Sequence, residues 1–229
     1  MDLLEFENTS ALDAELVKKV VDLLAMAIEH HGSASLVVSG GRTPKGFFHL
    51  LSQELLEWSK ITVTLADERW VDAEHKDSNE KLVQENLLIN EAYAARFVAL
   101  KTPASSASSG EESIGQDLSK IGRFTVVILG MGDDGHTASL FPGSKTLSAG
   151  LDMESGRQCL AVQPLDAPHE RMSMTLPRLL DSEQIIVHVS GENKGKVLAM
   201  ADSGADPLEL PIRAVLQQTK TPVVVYWAK

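Results

Sequence analysis

The residues best suited to chemistry lie in the stretch LGMGDDGHTASLFPG (129–143), where Asp134 and His136 stand one residue apart. An Asp-x-His pair can work as an acid/base unit. The carboxylate orients and polarises an imidazole whose unperturbed pKa, about 6.5, suits proton transfer at neutral pH. The bland alternative is a capped turn with a surface histidine. The same stretch contains GxGxxG at Gly130, Gly132 and Gly135. A dinucleotide fingerprint needs that turn to open a helix, with an acidic residue closing the next strand about 20 positions on. Here Asp133 and Asp134 would repel a pyrophosphate, Pro142-Gly143 leaves little room for a helix, and Glu154 does not end a strand. The glycines read instead as a sharp turn presenting Asp134 and His136 at a sheet edge, and NAD is not expected. A metal centre built on Asp133, Asp134 and His136 is also poor, since ligands packed into four positions of one turn cannot surround an ion. No second ligand cluster stands out, so neither metal nor organic cofactor is expected.

Three other places concentrate polar chemistry. The loop SGGRTPKG offers Gly40 and Gly41 for close backbone approach, then Arg42 and Thr43 before Pro44, a helix start able to hold a phosphate. It lacks GxxxxGK[ST], which excludes a nucleotide P-loop. The triplet Asp67-Glu68-Arg69 follows ITVTL at a strand end, where charges are costly unless used or paired. Arg171, in HERMSMTLP, and Lys194, in SGENKGKVL, are further cationic candidates. The remaining histidines are set aside: His49 on an amphipathic helix, His75 in a charged loop, His169 beside a proline, His30 and His31 at a helix end, and His188 in a strand.

Positioning these residues requires an ordered scaffold, and the pattern supplies one. Leu12, Leu16, Val20, Leu24 and Ile28 form an i, i+4 stripe over 10–28, with Ser10 and Asp13 placed as a capping pair. Strands are expected at 35–39, 61–66, 96–100, 124–129, 159–163, 184–190 and 222–228. Helices are expected from Thr43-Pro44 through Trp58, at 79–89, at 177–182 and at 193–201. The small, polar segment 102–115 reads as a surface connection. Short β-branched runs alternating with helical patterns predict a single α/β domain over 1–229, a mostly parallel twisted sheet with helices on both faces and ligands outside the carboxyl ends of its strands.

The chain has 229 residues, 43% of them hydrophobic, enough for a packed core. A formal charge of −11 argues against nucleic acid or anionic membrane as partner, so any anionic ligand needs a locally positive pocket. The N-terminus has no signal-peptide pattern and no apolar run reaches membrane-spanning length, so a cytoplasmic protein is expected. A monomer or weak homo-oligomer is expected as well, although no residue pattern decides between them. The single cysteine, Cys159, reads as a core thiol.

Taken together, SGGRTP, LADERWV, HKDSN, LGMGDDGHTASLFPG, ERMSMTLP and GENKGKVL resemble the 6-phosphogluconolactonases, the lactonase branch of the glucosamine-6-phosphate deaminase-like fold, in order and over most of the chain. The resemblance implies cofactor-free hydrolysis of 6-phosphoglucono-δ-lactone. It implies His136 as general base with Asp134 fixing its tautomer, and Gly40, Gly41, Arg42 and Thr43 as phosphate loop with Arg171 and Lys194 supplying charge. Asp67 and Arg69 then line the sugar end, Arg69 as oxyanion stabiliser. Arg42 stands where the family often has a smaller residue, and Ser173 where threonine is usual. The rivals are a glucosamine-6-phosphate deaminase/isomerase, in which Asp67 would take a proton from C2, and a non-catalytic sugar-phosphate-binding module.

Overall fold

The computed structural model describes residues 1–165 and 167–229. In chain order its elements are β1 (Asp2–Phe6), α1 (Thr9–His31), β2 (Ala34–Val38), α2 (Lys45–Leu51), β3 (Ile61–Leu65), β4 (Asp67–Arg69), α3 (Asn79–Asn86), β5 (Arg96–Val98), α4 (Ala107–Ser119) and β6 (Phe124–Leu129). Then come α5 (Leu147–Leu151), β7 (Cys159–Val162), β8 (Arg171–Met174), α6 (Leu176–Leu180), β9 (Ser182–Ser190), α7 (Glu192–Ser203), α8 (Ile212–Leu216) and β10 (Val223–Ala228). Seven strands form a parallel sheet in the order β1-β10-β9-β6-β2-β3-β5. The central strands β2 and β6 are buried at every position, as a parallel sheet covered by helices on both faces requires.

The order of strands decides where a ligand can enter. From β2 the chain steps outward through β3 to β5, then returns to the other side of β2 and steps through β6 and β9 to β10. The carboxyl ends of β2 and β6 therefore diverge into oppositely wound connections, leaving a crevice between them. Ser39 fastens its floor: its hydroxyl donates to the Ile128 carbonyl (3.1 Å) and accepts the Gly130 amide (3.3 Å).

Several local expectations need correction. Helix α1 is capped by Asn8, whose side chain accepts the Ala11 amide at 2.9 Å, not by Ser10 and Asp13. Asp13 points inward and is buried. Thr43 makes no side-chain cap on α2, and α2 stops at Leu51 instead of reaching Trp58. The Ser52 hydroxyl bonds back to the His49 carbonyl and the Ser52 carbonyl is taken by the Glu91 amide, so tertiary partners replace the next helical turn. Part of the 102–115 segment is α4, started by Ser106 accepting the Ser109 amide and held by buried Ile114 and Leu118. The Asp67 triplet, expected only at the end of the ITVTL strand, is a strand of its own, β4, which joins β8 and β7 in a separate antiparallel sheet. Cys159 on β7 is buried as expected, and burial followed by the charge of Glu111 pushes its thiol up to about 12.

Candidate active site

The crevice widens into a cavity of about 810 Å³. Gly40, Gly41, Arg42 and Thr43 form one wall from the end of β2, and His136 and Asp133 project from the loop after β6. Asp67 and Arg69 enter from β4, and Lys194 from the first turn of α7.

The β6 loop opens no helix after Gly135; it folds back on itself, with the Gly132 amide donating to the His136 carbonyl (2.8 Å) and the Leu140 amide to the Thr137 carbonyl (3.0 Å). A pyrophosphate cradle is absent from this loop. What it does build is a fixed imidazole. One Asp134 carboxylate oxygen, Oδ1, accepts the His136 amide (3.1 Å) and lies 2.6 Å from His136 Nδ1, while Phe141 packs on the ring at 4.4 Å between centroids. Nε2 is then the ring nitrogen without a protein partner among the described residues. Burial pushes the Asp134 carboxyl up, but the hydrogen bond and charge of His136 outweigh it and hold the group below the ordinary carboxylate range. Gly132 makes the room: a Cβ there would overlap His136 Nδ1 and Asp134 Oδ1. Ala138, at φ 48°, carries a left-handed turn that a non-glycine residue adopts only when its surroundings enforce it.

On the opposite side, Glu68 and Asp67 divide the work. Glu68 is almost fully buried and accepts the amides of Arg69, Asn79 and Glu80 and the Ser78 hydroxyl, at 2.6 to 3.1 Å, so it caps α3 and braces β4. Desolvation nevertheless leaves its carboxyl above the ordinary range. Asp67 faces the cavity, accepts the Ser139 hydroxyl at 2.5 Å, and receives Asn79 Nδ2 at its carbonyl (2.8 Å). Ser139 thus ties the histidine loop to β4. A Cβ on Gly40 would run into the Asn79 amide, so glycine there is required by close approach.

Positive charge is gathered in two places. Lys194 Nζ lies 2.9 Å from Asp133 Oδ1, and the pair lines the cavity together with the 40–43 loop, where Arg42 is exposed. Arg69 and Arg171 face each other directly across β4 and β8. Arg69 Nη1 donates to the Asp77 carbonyl at 2.5 Å, but Nε of both arginines is buried without a hydrogen-bond partner among the described residues. Like charges opposed on a strand pair are unfavourable unless something negative faces them. Burial, then the charge of Arg69, lowers the pKa of Arg171.

Residues 7–227 match the family described as glucosamine-6-phosphate isomerases/6-phosphogluconolactonase. The chain belongs to this family. It is 44% identical over 224 residues to a 6-phosphogluconolactonase of Rhizobium meliloti, covering 97% of each chain. A 6-phosphogluconolactonase of Pseudomonas putida is likewise 44% identical, over 97% of this chain and 91% of its own. The crystal structure of a 6-phosphogluconolactonase from Shewanella baltica superposes with a TM-score of 0.97 at 44% identity, covering 100% of this chain and 98% of that one.

Within this member of the isomerase/lactonase family, nine of the ten residues singled out from sequence line the cavity or touch one that does. Gly40, Gly41, Arg42, Thr43, Asp67, Arg69, His136 and Lys194 line it, and Asp134 contacts His136. Arg171 is the exception: it is not among the lining residues and sits across the strand pair from Arg69, which is. Sequence reasoning passed over Asn79 and Ser139, both inside quoted motifs, and a buried pair on the cavity floor. There Asp13 Oδ1 lies 3.3 Å from His188 Nε2, an ion contact without hydrogen-bond alignment. The signal for Asp13 was an acid set between the apolar positions of the α1 stripe, and for His188 an imidazole within an otherwise apolar strand. A second ligand cluster also exists: His75, Asp77 and His169 converge although 92 residues separate the last two.

Proposed function

We propose that this chain hydrolyses 6-phosphoglucono-δ-lactone to 6-phosphogluconate. The supporting relatives carry that activity in their names over nearly their whole length. The observation that supports the mechanism is the 2.6 Å contact from Asp134 to Nδ1 of the cavity-lining His136, which leaves Nε2 free to serve as the proton acceptor. Asp134, held ionised, keeps the proton on Nδ1 and stabilises the imidazolium that forms.

His136 Nε2 takes a proton from water as its oxygen attacks C1 of the lactone. The carbonyl electrons move onto the oxygen, where the Arg69 guanidinium stabilises them, with the opposed Arg171 strengthening the local field. Collapse breaks the bond from C1 to the ring oxygen, and the imidazolium returns the proton to that oxygen. The 6-phosphate lies on the amides of residues 40–43 with Lys194 and Arg42, where the helix start and the cations act together. The active species is cytoplasmic and needs no second macromolecule.

The test is decay of freshly generated lactone, coupled to 6-phosphogluconate dehydrogenase, for wild type, His136→Ala and a blank without enzyme. General acid–base catalysis contributes about 10²- to 10⁴-fold, so the variant should lose a factor in that range. Wild type at the blank rate would sink the reading, and deamination of glucosamine 6-phosphate would then be assayed. Wild-type rates in His136→Ala would remove His136 as the base.

A further inference from the structure

Outside the cavity, the segment after β4 and the segment before β8 place two imidazoles and a carboxylate together. His169 Nε2 lies 3.1 Å from Asp77 Oδ2, and His75 Nδ1 lies 3.8 Å from the same oxygen. One ligand atom from each of the three residues falls within 4.8 Å of the other two. The imidazole rings stand edge to face, 80° apart in plane with centroids at 5.4 Å, so they crowd without stacking. All three side chains are partly exposed, between 26% and 40%, which leaves an entry path and a place for a solvent ligand. None of them lines the substrate cavity.

We propose that His75, Asp77 and His169 form a binding site for a divalent ion of the zinc class, with water as fourth ligand. Zinc bonded to nitrogen and oxygen at about 2.0–2.2 Å in a tetrahedron holds its donors roughly 3.3 Å apart. The present separations of 3.1 and 3.8 Å from the Asp77 oxygen bracket that spacing, and the third pair, His75 with His169, lies within 4.8 Å, so closing the site means drawing the two imidazoles toward a common ion. Two imidazoles with one carboxylate select a borderline ion over calcium or magnesium, which require mostly oxygen ligands. Binding does require His75 Nδ1 to exchange the Asp77 amide, now 3.2 Å away, for the metal.

The position of the site gives it a consequence. The Asp77 carbonyl holds Arg69 Nη1, and the Trp70 amide donates to the Glu170 carbonyl at 2.7 Å. A metal there clips the exit of β4 to the entrance of β8, the two strands that carry Arg69 and Arg171. It fixes the frame of that arginine pair without touching the cavity, and the inference stands whichever reaction the cavity performs.

The test uses tag-free, chelator-stripped full-length protein titrated with zinc chloride by calorimetry, and with cobalt(II) by visible absorption. His75→Gln and His169→Asn are run beside wild type, each first shown folded by its thermal melt. We expect one equivalent of zinc, the strong visible bands of tetrahedral cobalt, a zinc-dependent rise in melting temperature, and affinity at least about 100-fold weaker in each variant. Absence of binding to wild type at submillimolar zinc overturns the proposal and leaves an ion pair of His169 with Asp77. Binding of equal affinity in both folded variants overturns it as well, by placing the metal elsewhere.

Discussion

Replacing Gly132 by alanine separates the positioning of His136 from its chemistry. The alanine Cβ would occupy space held by His136 Nδ1 and Cε1 and by Asp134 Oδ1. Gly132 has no positive φ, so alanine meets no backbone strain and the whole effect falls on the two side chains. Relieving the overlap needs a shift of more than about 1 Å in the imidazole, and a misplacement of that size costs about 10²-fold in rate. This corresponds to about 2.7 kcal/mol of transition-state stabilisation. Because the His136 side chain is 31% exposed, it can swing toward solvent, so the stability cost should stay at or below the roughly 1 kcal/mol lower end of core overpacking. The expected result is therefore a kcat about 10²-fold below wild type, KM for the lactone within about twofold, and a nearly unchanged melt. Steady-state kinetics with the blank subtracted, beside thermal denaturation, measure both. Wild-type kcat in a folded Gly132→Ala enzyme would refute the argument that the Asp134 contact fixes the working imidazole.

Lys194→Glu should raise KM by about ten- to a hundredfold, the range for losing a charge-assisted hydrogen bond, and lower kcat less; an unchanged KM would remove Lys194 from the phosphate site. Since Lys194 is now paired with the exposed Asp133 at 2.9 Å, Asp133→Asn should lower KM by about two- to fivefold by removing a competitor for the phosphate, and an increase would contradict that pairing. The Cys159 thiol, raised to about 12 from 9.0 by burial, stays protonated in the fold after the unfolded chain ionises. Its contribution to stability is whole below about pH 9 and is lost toward pH 12, at up to about 1.4 kcal/mol per pH unit. Urea unfolding between about pH 8 and 10.5 should thus fall more steeply for wild type than for Cys159→Ala, and parallel slopes would show the thiol ionising freely.

The scaffold was readable because its strands are short, apolar and regularly spaced: β2, β3, β6, β9 and β10 all lie within a few residues of their expected places. What escaped were elements whose reason lies elsewhere in the chain. Strand β4 is only three residues long and exists because β8 pairs with it, and the RMSM of β8, although it alternates, is only four residues long and holds no β-branched or aromatic side chain. Helix α2 ends early because Glu91 captures the Ser52 carbonyl, a contact across 39 positions. The same distinction runs through the site. Asp134 and His136 share one turn and could be read locally, whereas Asp13 with His188, Ser139 with Asp67, and His75 with His169 meet only through the fold.

The net charge of −11 bears on turnover under the proposed reaction. Lactone and product share the phosphate, but hydrolysis adds a carboxylate, so the product carries one more negative charge than the substrate. Asp13, Asp67 and Asp133 line the same cavity as Arg42, Arg69 and Lys194, so cations and anions are matched in number there. Such a cavity holds the phosphate through directed contacts at one end while offering little surplus positive charge to the new carboxylate. The long-range field of an acidic protein then favours departure of the more highly charged product. On this reasoning Asp67→Asn, which removes a cavity anion without removing the side chain that Ser139 contacts, should strengthen inhibition by 6-phosphogluconate more than it lowers KM for the lactone. Inhibition constants measured with and without added salt decide the matter: a gain for product that vanishes at high ionic strength supports the electrostatic account, and equal changes for substrate and product contradict it.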